Sequence, residues 1–293
     1  MVSPFNSIRE PRIITSSITY TYVFILAKLD KPTLLSLHAP DLLGYGGTSS
    51  PSDPVEYKAK TMAPEILSIL DKEGIEKTPW YWPRLWQSPA FKTGKLRTGE
   101  ILELGFLVIP YMPSGMVMDQ DKVNVTTKGL LSFERFGYWR FYERNDAAEI
   151  IKEHWKTYFN LIYQEDPQVL KVDYGPLGAL EASLRSDKVN QEKITHRKIF
   201  QDDYGPALNW YRAAIQNVNA VDEEDGRLDP QLTVPVLMIT ASNDPTGGPK
   251  FAEHVKNFAA DLTEQQINAG HWVQLEKKAE TNEAIAKFLN CGG

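Results

Sequence analysis

An aspartate and a histidine stand at a spacing that could do chemistry. Asp244, in Ala241-Ser242-Asn243-Asp244, is followed 27 positions later by His271, in Ala269-Gly270-His271-Trp272. A carboxylate bonded to one imidazole nitrogen fixes the ring's tautomer and stabilises the imidazolium. The other nitrogen can then act as a base toward water or a hydroxyl. Taken singly, Asp244 also reads as a turn residue before Pro245, and His271 as a structural histidine. Asp244 comes four residues after the apolar run Val234–Thr240, where a strand would end. In open α/β sheets, ligands bind outside the carboxyl ends of strands.

The elements that must position this pair are legible as apolar runs and turn signals. Thr33–Leu37 reads as a short buried strand and runs into a turn rich in Gly44, Gly46 and Gly47. Asp53-Pro54 has the form of a helix start, Met62, Ile66, Ile69 and Leu70 recur at helical spacing, and Gly74 is a natural stop. Leu104–Tyr111 is a dense apolar segment closed by Pro110 and Pro113, the pattern of a central strand. From Ser114 to Asp225 aromatic residues are frequent and helical patterns such as Ala147–Leu161 dominate. An amphipathic helix is expected over roughly Glu280–Leu289. Strand–helix alternation on either side of a helical block predicts an α/β fold with a mostly parallel sheet and an inserted helical cap.

The chain has 293 residues, 42% apolar and 24% charged, the composition of a globular protein. With 32 Lys and Arg against 38 Asp and Glu its formal charge is -6, which argues against nucleic acid or an anionic membrane as partner. The one cysteine, Cys291, excludes a disulfide framework and a cysteine-based zinc site, and no metal or cofactor is expected. The uncharged stretch Ile13–Ala27 contains Thr15, Ser16, Ser17, Thr19, Tyr20 and Thr21, too polar for a membrane span, and it lacks the marks of a signal peptide. A soluble, cytoplasmic protein is the expectation.

Acid before base, both after the helical block, is the chain order of α/β-hydrolases. The segments "APDLLGYGGTSSP", "ILDKEGIEK", "GFLVIPYMPSG", "GPALNWYR", "VPVLMITASND" and "AGHWVQLEK" together resemble the soluble epoxide hydrolases of that superfamily, with a fungal character. The resemblance implies an α/β-hydrolase fold with core segments at 1–113 and 226–293 and a cap at 114–225. It makes Asp244 the charge-relay acid and His271 the base. It makes Tyr211, in Asn209-Trp210-Tyr211-Arg212, one cap tyrosine and Tyr138, in Phe136-Gly137-Tyr138-Trp139, the other. Two phenols can hydrogen-bond and protonate the leaving oxygen of an epoxide. A carboxylate nucleophile opens the ring to an ester, which an activated water hydrolyses to a diol. The implied partner is a small apolar epoxide, and no cofactor is needed.

Two parts of the family pattern are missing. The family carries His-Gly-x-Pro, a helix and another strand before its "APDL" segment, whereas here Leu37-His38 joins directly to Ala39-Pro40. His38 corresponds to the first residue of that motif, and the sheet is expected to be incomplete. The second break falls on the nucleophile. The family has a Gly-x-Asp-x-Gly elbow after the "ILDKEGIEK" segment, but this chain reads "TPWYWPRLWQSPAFKTGKLRTGE". Arg84 and Leu85 stand near the nucleophile's place, and no Asp occurs between Asp71 and Asp119. Read from the second base of the Trp82 codon, the genetic code permits "GHDCGSPLLSRLANYVPERF" through Ile101, with glycine forced at Trp82 and at Trp86. That is a family-like elbow and helix, so residues from about Thr78 to Ile101 read as frame-shifted. The chain as written is expected to be impaired as an enzyme. A haloalkane or fluoroacetate dehalogenase shares the acid–base layout, and a non-catalytic hydrolase-like protein that binds a small apolar ligand fits the missing nucleophile.

Overall fold

The computed structural model describes residues 25–31, 34–38, 41–76, 78–82, 101–163, 166–187, 203–226, 229–248 and 250–291. The stretch 83–100, with Arg84, Leu85 and Trp86, lies outside the described residues, as does most of Ile13–Ala27. The chain divides into two compact units. The first takes 1–42, 58–116 and 219–293, and the second takes 43–57 and 117–218.

The first unit is built on a six-stranded sheet of order β2-β1-β3-β4-β5-β6. Its strands are β1 (Ile25–Lys31), β2 (Leu34–His38), β3 (Thr78–Trp82), β4 (Ile101–Leu107), β5 (Val236–Ala241) and β6 (Leu262–Ile267). β3 through β6 pair in parallel, and β1 runs antiparallel to both β2 and β3. All strands but β1 therefore point one way, which is the mostly parallel sheet expected.

β4 and β5 are interior strands of the sheet, and both of their faces are buried. Residues 103–107 and all of β5 are buried, and a strand covered on both sides reads as a continuous apolar run. β4 starts and ends earlier than the apolar run Leu104–Tyr111. Val108 leaves the strand with φ 55°, a costly conformation for a β-branched residue, while its N–H still donates to Ile239 O at 2.8 Å. β6 carries no apolar signal. Thr263–Gln266 are exposed, and only Leu262 and Ile267 turn inward. Among the described strands it pairs with β5 alone, and a polar outer edge discourages further pairing.

Helix α1 (Ala59–Lys72) buries Met62, Ile66, Ile69 and Leu70 and ends before Gly74 at φ 64°. The Asp53 side chain accepts the Val55 N–H at 2.9 Å, but it starts only the 3-10 turn Pro54–Tyr57, not α1.

The described helices of the second unit include α2 (Gln120–Leu131), α3 (Tyr138–Glu143), α4 (Ala147–Glu153), α5 (Trp155–Ile162), α6 (Ala179–Arg185) and α7 (Gly205–Ile215), with short helical turns over Pro167–Val169 and Leu170–Tyr174 between α5 and α6. The helical pattern over Ala147–Leu161 is thus two helices, parted at His154. Segment 43–57 packs in this unit. Gly44 sits at φ 84°, where a side chain would meet Pro206 O and the Tyr57 hydroxyl. Trp210 Nε1 donates to Leu43 O at 2.8 Å.

The chain then returns to the first unit with α8 (Ala220–Gly226), α9 (Lys250–Val255), α10 (Val273–Glu276) and α11 (Lys278–Cys291). The last of these begins two residues before the expected Glu280. Ile285 and Phe288 of α11 pack with Leu107, Leu237, Ile239 and Ile267 in one apolar cluster that also holds Ala269 and Val273. That cluster anchors the chain on both sides of His271.

Candidate active site

The carboxyl ends of β5 and β6 bring Asp244 and His271 together. The strands pair in register from Val236 with Leu262 to Ala241 with Ile267. Past the last pair, Ser242 N–H donates to Ile267 O and Asn243 N–H to Ala269 O, each at 3.0 Å. The two loops therefore leave the sheet side by side. His271 Nδ1 meets Asp244 Oδ2 at 2.8 Å. A carboxylate there favours the tautomer with the proton on Nδ1, which makes Nε2 the basic position.

Thr246 holds the carboxylate from the other side. Its N–H donates to Asp244 Oδ1 and its hydroxyl to Oδ2, both at 2.8 Å. The Asp244 side chain has no exposed surface, and that of His271 is 13% exposed. Burial pushes the Asp244 carboxyl pKa up, but the His271 ring and the donors of His271 and Thr246 outweigh it. The net pKa lies below the ordinary carboxylate value.

The histidine loop has its own brace. Glu276 Oε2 accepts the Gly270 N–H at 2.6 Å, and Oε1 accepts the Trp272 N–H at 3.1 Å. One carboxylate thus ties the peptide on both sides of His271. The Trp272 indole stands edge-on to the imidazole, centroids 5.3 Å apart. Sequence reasoning passed over Thr246 and Glu276, although each left a trace. A hydroxyl residue two after an aspartate is an Asx-turn pattern, and a glutamate early in a helix can reach back to the helix start.

Tyr138 and Tyr211 meet each other in the second unit. Tyr138 opens α3, where its N–H donates to Gly175 O at 3.2 Å, and Gly137 lies so close to the Leu177 backbone that no side chain would fit. Tyr211 lies on α7. The two buried rings cross edge to face at 6.2 Å. Tyr142, one turn on from Tyr138, lies 4.7 Å from the Tyr211 ring. Its hydroxyl bonds those of Tyr158 at 2.8 Å and Tyr174 at 2.6 Å. Burial, then the neighbouring phenols, push the Tyr142 pKa well up. Sequence reasoning did not single out Tyr142, Tyr158 or Tyr174.

Among the described residues no group of three or more His, Cys, Asp or Glu could hold a metal ion. No described helix is long and apolar enough to cross a membrane.

The sheet, its flanking helices and the acid–histidine pair define an α/β-hydrolase fold. Epoxide hydrolase A from Mycobacterium thermoresistibile superposes with a TM-score of 0.64 at 20% identity, over 86% of this chain and 82% of that one. An epoxide hydrolase from an endophytic Streptomyces gives 0.62 at 18% identity, over 86% and 80%. No family model matches the chain. Among curated proteins, bifunctional epoxide hydrolase 2 of Sus scrofa is 26% identical over 265 residues, 86% of this chain and 46% of the relative. Epoxide hydrolase srdG of Neurospora crassa is 27% identical over 286 residues, 88% of this chain and 80% of the relative. The chain spans about half the length of the mammalian relatives it matches. These relatives are epoxide hydrolases, the family that the chain's motifs resemble.

Proposed function

We propose that this chain descends from a cytoplasmic, cofactor-independent epoxide hydrolase acting on a small apolar epoxide, and that as written it lacks the first chemical step. The observation that carries the reading is the Asp244–His271 hydrogen bond at neighbouring strand ends, in a chain similar to epoxide hydrolases over 86% of its length. The segments 1–113 and 226–293 act as the hydrolase core and 114–225 as the cap. Tyr138 and Tyr211 hydrogen-bond the epoxide oxygen and deliver the proton that its alkoxide needs. In the intact reaction a carboxylate attacks the epoxide carbon, the carbon–oxygen bond breaks, and an ester forms. His271 takes a proton from water, Asp244 stabilises the imidazolium, and the hydroxide releases the diol.

The missing carboxylate is the reason to expect an impaired chain. A histidine and its aspartate prepare water for the second step and do nothing for the first. Loss of a nucleophile from such a unit removes several orders of magnitude in rate. Restoring the frame over Thr78–Ile101 returns the elbow only; the strand and helix absent after His38 are needed as well. A second reading, a hydrolase-like protein that binds a small apolar ligand without turnover, is favoured by the absence of any Asp between Asp71 and Asp119.

The test compares the chain as written, the frame-corrected chain and the fully restored chain, with diol formation from styrene oxide and a broader epoxide panel as readout. Turnover by the fully restored chain alone is expected. Diol from the chain as written, with a trapped ester intermediate, would show a nucleophile elsewhere. A folded, fully restored chain that is inactive on every epoxide, but releases halide from a haloalkane, would favour the dehalogenase.

A further inference from the structure

We infer that Arg212 is a positioning residue that sets Tyr211 against Tyr138. It is half-buried on α7, next in sequence to Tyr211, and it spends its donors on neutral oxygens. Nε donates to Tyr142 O at 3.0 Å and Nη2 to Arg144 O at 2.8 Å, so one edge of the guanidinium straddles the exit of α3. Nη1 donates to Asn209 Oδ1 at 3.0 Å. The last carbonyls of a helix have no partner of their own, and a cationic donor satisfies them.

The consequence falls on the tyrosine pair because Tyr138 and Tyr211 sit on the two helices that this fork joins. Tyr138 is one turn before Tyr142, whose carbonyl Arg212 holds. Aromatic packing alone would leave the helices free to slide, since apolar attraction has little directionality. Two hydrogen bonds from a planar fork fix both distance and angle.

Tyr211 is held from its other side too. Asn209 Nδ2 donates to Pro51 O and Ser52 O, each at 3.0 Å, and Trp210 Nε1 to Leu43 O. Asn209, Trp210 and Arg212 therefore clamp α7 to two separate segments, 43–57 and the end of α3, with Tyr211 between the clamps. A lysine at 212 would keep the charge, but a point ammonium cannot reproduce the planar fork.

The functional weight of this inference rests on Tyr138 and Tyr211 being the donors to the epoxide oxygen; its test does not. The full chain is prepared with ring-labelled tyrosine as wild type, Arg212→Lys and Arg212→Met, and the ring-to-ring nuclear Overhauser contact of Tyr138 with Tyr211 is measured. Circular dichroism and urea unfolding report the fold. The contact is expected in the wild type, weakened in Arg212→Lys and lost in folded Arg212→Met, while that of Tyr142 with Tyr158 persists in all three. Loss of both contacts together would mean that Arg212 supports only the general packing, and would overturn the inference. An unchanged Tyr138–Tyr211 contact in folded Arg212→Met would also overturn it. If Arg212→Met does not fold, Arg212→Lys decides by the same criterion. None of these readouts needs turnover, so an inactive restored chain would sink the epoxide reading and leave this result standing.

Discussion

Asp244 and Glu103 are both buried carboxylates of the sheet-bearing unit, and their surroundings drive them in opposite directions. Both residues are buried, 6% and 8% exposed, and Asp244 is the deeper, with no exposed side-chain surface. Asp244, beyond the carboxyl end of β5, receives the Thr246 N–H, the Thr246 hydroxyl and His271 Nδ1. Glu103, near the start of β4, leaves Oε2 without a hydrogen-bond partner among the described residues. Burial pushes the Glu103 carboxyl up, whereas Asp244 ends below the ordinary value. Donors, not depth, decide whether a buried carboxylate keeps its charge. A charged Asp244 is what an acid that orients an imidazole must be.

Removing the better-held carboxylate should have the largest effect. Asp244→Ala strands three donors in a buried place and is expected to cost about 3 kcal/mol of stability in urea unfolding. A cost near zero would mean that the donors do not hold Asp244 as the geometry implies. The pH dependence has a definite sign. A carboxyl whose folded-state pKa is lowered contributes stability that is complete above its unfolded value of about 4 and is lost as pH falls through the folded value. The acid limb of the wild-type stability curve should therefore flatten in Asp244→Ala.

The next effect concerns the carboxylate that braces the loop. Glu276→Ala frees the Gly270 and Trp272 N–H groups, and a loss of about 2 kcal/mol is expected. The Nδ1 proton resonance of His271 should also broaden or vanish as the loop loosens. A sharp, unshifted resonance in a destabilised variant would confine Glu276 to general stability.

The smallest effect should have the opposite sign. Glu103→Gln removes a charge that the fold resists and should stabilise the protein by about 1 kcal/mol at neutral pH. A raised folded-state pKa means that the folded protein holds the proton longer than the unfolded chain. Stability therefore falls as pH rises from the unfolded value through the folded one. The gain in Glu103→Gln should appear over that window and vanish below it. A loss at neutral pH would mean that Glu103 has a partner its described neighbours do not reveal, and the comparison with Asp244 would fail.

Legibility in the sequence followed burial. β5 and α1 declared themselves because their buried residues recur as a continuous run or at helical spacing. β6 did not, because four of its six residues face solvent and its place comes from pairing with β5. β3 was hidden for a different reason. Thr78–Trp82 begins a stretch whose residues read as another frame, yet it pairs in parallel with β4. Backbone hydrogen bonding asks little of side-chain identity, so a strand can survive where a motif does not.

Residue type and chain order carry the proposed chemistry: an acid, then a histidine, after a helical block, with two motif-borne tyrosines and no Asp between Asp71 and Asp119. Such features are local or ordinal, and a linear string can carry them. Only the tertiary structure decided what restrains those residues. Asp244 and His271, 27 positions apart, meet because β5 and β6 run side by side. Arg212 matters because the end of α3 comes within reach of α7. Those distances belong to folded neighbours far apart along the chain, and no spacing in the sequence encodes them.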